Sequence, residues 1–248
     1  MRRAASRVLV FSAGTAIAHA AVEVLRRRAA AAVAARGRFT LALSGGRTPA
    51  LLYRALAARG PEELPYDRIE LFWGDERAVP PHHQQSNYRL AWEAWLSRAP
   101  VRARQLHRIR GEATPRTREG RRYERLLTSR LGVPPRLDLI LLGVGPDGHT
   151  ASLFPRTPAL RSARLVEATE APFPPRGRIT LTLRAIRSAR AVLFLAAGAG
   201  KAAAVARALI GPPSEETPAS LVRGRHVTWL LDAAAASRLP RSARTAGD

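Results

Sequence analysis

The chain has 248 residues, of which 46% are hydrophobic and none is cysteine. This composition leaves room for a buried core, and it excludes disulfide bonds and thiolate metal sites. Lysine and arginine number 41 against 19 acidic residues, a net charge of +22. Because the arginines are scattered and aromatic residues make up only 6%, we interpret the charge as a property of the surface, with no nucleic-acid partner.

The first apolar segment is short. Residues 8–11, VLVF, form a predicted strand, and an alanine-rich helix follows through Arg36. Four apolar residues are too few for a signal peptide or a membrane span. The sequence therefore predicts a cytoplasmic protein without a membrane partner.

Strands and helices alternate along the rest of the chain. Further strands are predicted at 39–44, 69–76, 137–145, 178–183, 191–198 and 227–232. Further helices are predicted at about 48–59, 87–97, 118–131 and 201–209. The alternation of continuous apolar strands with helices indicates an α/β fold with a mostly parallel sheet. We expect a single domain over residues 1–248, with its core at about 8–231 and a frayed tail at about 237–248.

Residues 44–49, SGGRTP, follow the second strand and precede a helix. Ligands of open α/β sheets bind beyond the carboxyl ends of the strands, so strand exits are candidate sites. Gly45 and Gly46 let the backbone approach an anion, while Ser44 and Thr48 add hydroxyl groups near a helix N-terminus. The stretch predicts a phosphate site, and the alternative is a plain turn with Thr48 as the helix N-cap.

Three charged residues leave the third strand together, namely Asp75, Glu76 and Arg77. They form either a solvated loop or a cluster for acid–base and anion chemistry. The histidines at 82–83 follow, but adjacent histidines rarely bind one ion, so we predict no metal site. Asn87 is a candidate either to cap the next helix or to contact a ligand.

Residues 139–155 read LILLGVGPDGHTASLFP. From Gly143 the glycines match the G-x-G-x-x-G pattern of a dinucleotide loop, but Pro146 interrupts the helix that such a loop requires. The other interpretation is a turn that presents Asp147 and His149. Imidazole, with an ordinary pKa of ~6.5, takes a proton from water, and a nearby carboxylate orients it. A histidine that merely packs in a capped turn remains the third possibility.

The only lysine of the chain, Lys201, follows the strand at 191–198 and opens a helix. A cation there suits a phosphate oxygen, and Arg178 would add a second one. Asn87 is likewise the only asparagine. In a chain that avoids both residue types, each is either required for the chemistry or retained by chance.

Several of these stretches, in this order, resemble the 6-phosphogluconolactonase family over residues 8–231. They are SGGRTP, FWGDERAVP with SNY, LLGVGPDGHTASLFP, RITLT and the glycine–lysine helix start. The resemblance implies a Rossmann-like three-layer α/β sandwich. It also implies hydrolysis of 6-phospho-D-glucono-1,5-lactone to 6-phosphogluconate in the oxidative pentose phosphate pathway, with no cofactor required.

Glucosamine-6-phosphate deaminases are the alternative within the same group, since they share the SGG and DGH segments. They lack an arginine after the paired acids and carry a different run after the histidine. This chain has Arg77 and the run TASLF at 150–154, and both favour the lactonase. A basic nucleic-acid-binding protein is the third hypothesis.

The resemblance also implies roles for the candidate residues. The loop Ser44–Thr48 would hold the substrate phosphate, with Lys201 and Arg178 as cations. His149 would be the general base on water and Asp147 would orient it.

The remaining candidates lie at the reacting end of the predicted site. Arg77 would stabilise the oxyanion, while Asp75 and Glu76 would orient Arg77 or bind sugar hydroxyls. Asn87 would contact the substrate. We expect a monomer or a weak homo-oligomer.

Overall fold

The structure is a computed structural model that describes residues 6–222 and 227–247, so the predicted domain limits at residues 1 and 248 lie outside the described residues. The strands are β1 (Arg7–Phe11), β2 (Phe39–Leu43), β3 (Ile69–Trp73), β4 (Asp75–Arg77), β5 (Leu106–His107), β6 (Leu139–Leu142), β7 (Val166–Glu170), β8 (Gly177–Leu181), β9 (Val192–Ala196), β10 (Val227–Asp232) and β11 (Thr245–Ala246). The α-helices are α1 (Gly14–Arg36), α2 (Arg47–Arg59), α3 (Asn87–Ala91), α4 (Arg116–Leu131), α5 (Leu183–Ser188) and α6 (Ala202–Leu209).

Eight parallel strands form the central sheet in the order β11-β1-β10-β9-β6-β2-β3-β5. Every residue of β2, β6 and β9 is buried, as continuous apolar sequences predict for strands that are covered on both faces. Helices lie on both sides of this sheet, which makes a three-layer α/β sandwich. The predicted fold class is confirmed.

The core fills the space on either side of the sheet. Phe194 of β9 and Trp229 of β10 are register partners, and their rings stack with centroids 3.8 Å apart. The hydroxyl of Tyr123 in α4 bonds to the backbone of Trp73 at the end of β3. Such contacts fix β9 against β10 and α4 against the end of β3.

A second, three-stranded antiparallel sheet has the order β4-β8-β7. The segment RITLTL was predicted as a strand of the alternating α/β pattern, and the structure places it here as β8, outside the central sheet. Residues 75–77 were expected to be a strand exit, and they form β4 instead. Because β4 pairs with β8, the three charged residues are held on a strand and not in a solvated loop.

The C-terminal segment differs from the expected frayed tail. Thr245 and Ala246 of β11 pair in parallel with Leu9 and Val10 of β1, and the amide of Gly247 donates to the Val10 carbonyl at 2.9 Å. β1 is otherwise an edge strand, whose free backbone groups require partners. The tail supplies partners at Leu9 and Val10.

Several helices begin or end differently from the predicted positions. The helix expected at 87–97 is α3 followed by a π-helical turn at Trp92–Leu96. The helix expected from Lys201 is a single 3₁₀ turn at Ala199–Lys201 followed by α6. None of the helices within the described residues is long and apolar enough to cross a membrane.

Candidate active site

A cavity of about 560 Å³ opens at the carboxyl ends of β2, β6, β9 and β10. This is the edge at which ligands bind in open α/β sheets. The predicted site residues that line it are Ser44, Gly45, Gly46, Thr48, Asp75, Arg77, Asn87, His149 and Lys201. Four separate strand exits, far apart in sequence, therefore meet at one place.

The turn after β6 is built around Gly145. Its amide donates to the carbonyl of His149 at 2.8 Å, and its own carbonyl accepts from the amide of Gly148, which has φ +94°. A Cβ at position 145 would lie 2.1 Å from His149 Nδ1 and 2.4 Å from Asp147 Oδ1. The glycine therefore makes room for the carboxylate and the imidazole.

The turn does not lead into a helix, as a dinucleotide loop would require. A short 3₁₀ helix at Pro158–Arg161 is the next helical segment after β6. Thr150 instead closes the turn, since its hydroxyl donates to the Gly143 carbonyl at 2.9 Å. The interpretation of this stretch as a turn that displays two polar side chains is the one that fits the structure.

His149 and Asp147 form a hydrogen-bonded pair. Nδ1 of the imidazole lies 2.6 Å from Asp147 Oδ1, which also accepts from the His149 amide at 3.1 Å. Burial raises the pKa of Asp147, but the hydrogen bond and charge of His149 outweigh it, and the net pKa is lowered. An ionised carboxylate only accepts, so Nδ1 carries the proton and Nε2 has the free lone pair of the neutral ring.

Aromatic residues pack beside this pair. The ring of Phe154 lies 4.6 Å from the imidazole of His149, and Phe173 lies 6.2 Å from it. Phe154 and Phe173 meet edge to face at 5.6 Å. These contacts restrict the rotation of the imidazole.

Asp75 is buried and connects the turn to α3. Its Oδ2 accepts from the hydroxyl of Ser152 at 2.6 Å, and its Oδ1 and backbone carbonyl accept from Nδ2 of Asn87 at 3.3 and 2.9 Å. Ser152 lies three residues beyond His149. Asp75 therefore holds the turn that carries His149 against the antiparallel sheet while it also lines the cavity.

Glu76 binds the N-terminus of α3. Its carboxylate accepts from the amides of Arg77, Asn87 and Tyr88 at 2.7–2.8 Å and from the hydroxyl of Ser86 at 3.1 Å. Burial raises its pKa, and the amide hydrogen bonds partly offset this. Neither Glu76 nor Asp75 hydrogen-bonds the guanidinium of Arg77, which differs from the expected orienting role. Arg77 instead donates to the Gln85 carbonyl at 2.5 Å.

Asn87 is the first residue of α3 and not its cap, because the hydroxyl of Ser86 accepts from Arg89 and fills that position. The Oδ1 atom of Asn87 is buried without a hydrogen-bond partner in the described residues. A Cβ on Gly45 would lie 1.8 Å from this oxygen. The amide side chain thus packs directly on Gly45, and this close approach requires glycine.

The loop at 44–48 turns directly into α2. The hydroxyl of Tyr53 accepts from the Ser44 amide at 3.0 Å and donates to the Ser44 carbonyl at 2.7 Å. Gly46, with φ +107°, precedes the first helical residue, and no side chain caps the helix. The alternative in which Thr48 is an N-cap is therefore wrong, and Thr48 lines the cavity.

Lys201 reaches the same cavity from the exit of β9. Asp232, at the end of β10, accepts from the amide of Gly198 at 2.9 Å and from that of Ala235 at 2.7 Å, and so holds the loop that precedes the lysine. Burial lowers the pKa of Lys201, and the nearby Arg47 lowers it further. The charge of Asp147 acts in the opposite direction and raises the pKa of Lys201.

Arg178 was expected to lie beside Lys201, but the structure places it elsewhere. It is the register partner of Arg77 on the neighbouring strand and is not among the residues that line the cavity. Its guanidinium donates to the carbonyls of Pro175 and Gly177. Burial and then the charge of Arg77 lower its pKa to about 10. The structure thus associates Arg178 with Arg77.

Sequence reasoning missed four residues that build the site, namely Arg47, Tyr53, Ser152 and Asp232. Asp232 ends a predicted strand, so inspection of every strand exit would have found it. Ser152 lies within the stretch that carries His149, but its partner is remote in sequence. Within residues 6–222 and 227–247, no group of three or more His, Cys, Asp or Glu side chains could hold a metal ion.

Comparisons with known proteins show the family to which the chain belongs. A family described as glucosamine-6-phosphate isomerases/6-phosphogluconolactonase matches residues 12–230. A 6-phosphogluconolactonase of Nostoc sp. is 38% identical over 233 residues, which cover 91% of this chain and 95% of that protein. A 6-phosphogluconolactonase of Homo sapiens is 39% identical over 243 residues, with 94% and 93% covered.

The fold is also similar to a solved structure. The crystal structure of 6-phosphogluconolactonase from Thermotoga maritima superposes with a TM-score of 0.81 at 31% identity, covering 92% of this chain and 99% of that one. The chain belongs to the glucosamine-6-phosphate isomerase/6-phosphogluconolactonase family.

Proposed function

We propose that this protein hydrolyses 6-phospho-D-glucono-1,5-lactone to 6-phosphogluconate. The observation that carries the proposal is that a histidine hydrogen-bonded to a carboxylate lines the same cavity as a glycine loop and a lysine. The first pair suits activation of water, and the second suits a phosphate group. The two named relatives, both called 6-phosphogluconolactonase, support the same activity.

In the proposed mechanism, His149 is the general base. Its Nε2 accepts a proton from a water molecule, whose oxygen attacks the lactone carbonyl carbon. Asp147 holds the ring in the required tautomer and stabilises the imidazolium that forms. The bond between the carbonyl carbon and the ring oxygen then breaks, and the imidazolium returns the proton to that oxygen as it leaves.

Arg77 stabilises the negative charge that develops on the carbonyl oxygen during attack. It lines the cavity, and Arg178 lies beside it on the next strand. Two adjacent guanidinium groups provide a positive potential at this end of the site. Asp75 is placed to accept from a sugar hydroxyl, since each of its oxygens has a second lone pair.

The phosphate binds at the other end, on the loop Ser44–Thr48 and on Lys201. The dipole of α2 and the first free amides of the helix favour an anion there. Ester hydrolysis of an activated lactone needs a base and an electrostatic contribution, and the residues described above supply both.

We propose that residues 1–248 act as one domain. We also propose that the protein is a monomer or weak homo-oligomer in the cytoplasm and that it acts without a cofactor or a nucleic-acid partner.

The test is the rate of hydrolysis of freshly made 6-phosphogluconolactone, measured above background at low temperature and mildly acidic pH. We expect rapid turnover that EDTA does not reduce. Release of ammonia from glucosamine 6-phosphate without lactone hydrolysis would instead identify a deaminase. Salt-dependent DNA binding with neither activity would contradict the enzyme assignment.

A further inference from the structure

Arg47 is a second cation at the phosphate end of the cavity. It is the first residue of α2, directly after Gly46, and it lines the cavity together with Lys201. Its side chain is exposed, whereas Lys201 is half-buried. In the described part of the chain, neither residue forms a salt bridge or a side-chain hydrogen bond. Other exposed arginines do form such pairs, as Arg156 and Arg161 show.

The two cations are close enough to influence one another. Burial lowers the pKa of Lys201 most, and the charge of Arg47 is the next cause. Two like charges next to each other repel, and no carboxylate in hydrogen-bond contact offsets this repulsion. An anion with two negative charges removes it, whereas an anion with one charge removes only part.

We infer that Arg47 binds the substrate phosphate together with Lys201, so that the site selects a doubly charged phosphate. A phosphate ester carries about −1.5 to −2 charges at pH 7, which two cations match. Guanidinium offers two parallel N–H donors to phosphate oxygens, while the ammonium of lysine acts as a compact point charge. This inference rests on the proposed function, because it extends the phosphate site of the same cavity.

The first experiment compares steady-state kinetics of three variants on 6-phosphogluconolactone. For Arg47→Ala we expect KM to rise about 5- to 20-fold with kcat nearly unchanged, because the phosphate contact is equal in the ground and transition states. Arg47→Lys keeps the charge but loses the paired donors, so it should recover part of the affinity. Neither variant should alter hydrolysis of unphosphorylated glucono-1,5-lactone.

Arg54→Ala is the matched control. Arg54 lies on the same helix, is exposed and carries the same charge, but it does not line the cavity. A long-range effect of net charge would change KM equally in both variants, whereas a direct contact changes it only at Arg47. Equal KM values for Arg47→Ala and Arg54→Ala would overturn the inference, as would an equal loss on the unphosphorylated lactone.

A binding measurement separates this inference from the proposed function. Calorimetric titration of the protein with inorganic phosphate needs no turnover. We expect Arg47→Ala to weaken phosphate binding about 5- to 20-fold relative to wild type and to Arg54→Ala. If the wild type fails to hydrolyse the lactone but this difference is found, the proposed function fails and the phosphate site stands. If phosphate binds all three proteins equally, the role of Arg47 is wrong.

Discussion

The two ends of the cavity differ in how their polar groups are partnered. In the turn that carries His149, the imidazole of His149 is hydrogen-bonded to Asp147, and the hydroxyl of Ser152 is hydrogen-bonded to Asp75. At the phosphate end, the side chains of Arg47 and Lys201 form no hydrogen bond or ion pair within the described residues. One end is held by contacts within the protein, and the other keeps its donors available.

The difference follows from the chemistry assigned to each end. Proton transfer depends on the tautomer and orientation of an imidazole, and a displacement of about 1 Å costs a large factor in rate. The partners of His149 fix both before the substrate arrives. Anion binding instead depends on donors whose charge is not already neutralised, so carboxylate partners there would weaken it. Fixed geometry and free charge are thus separated within one cavity.

Replacing the general base should have the largest effect. For His149→Ala we expect kcat to fall about 10²- to 10⁴-fold while inorganic phosphate binds as in the wild type. The measurement is kcat on 6-phosphogluconolactone together with calorimetric titration. His82→Ala is the control, because His82 is an exposed histidine outside the cavity lining. Near wild-type kcat in His149→Ala would show that His149 is not the general base.

A methyl group placed inside the turn should break the pair without removing either side chain. A Cβ at Gly145 meets both His149 and Asp147 at under 2.5 Å, so Gly145→Ala should lower kcat about 10²-fold. Gly143→Ala is a matched control from the same turn, since its Cβ meets no atom within 4 Å. Similar losses in both variants would mean that the turn tolerates no substitution for reasons unrelated to the pair.

The lysine should affect binding more than chemistry. For Lys201→Ala we expect kcat/KM to fall by ~2–3 kcal/mol, a factor of about 30 to 150, mostly through KM. The comparison substrate is unphosphorylated gluconolactone, on which wild type and variant should behave alike. An equal loss on both substrates would move Lys201 to the reacting end of the cavity or to a structural role.

The smallest effect on catalysis is expected at Glu76, which holds α3 between the two ends. Glu76→Gln places an amide against backbone N–H donors, so the free energy of unfolding should fall by about 1–3 kcal/mol. Glu62→Gln, at an exposed position, should change it by less than about 0.5 kcal/mol. Urea unfolding measures both. A large change in KM with unchanged stability would instead make Glu76 a substrate-binding residue, as the sequence first suggested.

The sequence by itself determined the features that depend on short-range geometry. Continuous apolar strands alternating with helices require a sheet that is covered on both faces, and this predicted the α/β fold. Asp147 and His149 are two residues apart in one glycine-rich turn, so their proximity follows from the local chain. Residues 44–46 lead into α2 for the same local reason.

Only the tertiary structure decided which distant groups meet. Asp75 and Ser152 are 77 residues apart, and Asn87 packs directly on Gly45. Arg178 was expected at the phosphate end, but the pairing of β4 with β8 places it beside Arg77. At the edge of the central sheet, β11 pairs with β1. Strand order and register set these contacts, and residue propensities do not encode either, because they describe each segment without its neighbours.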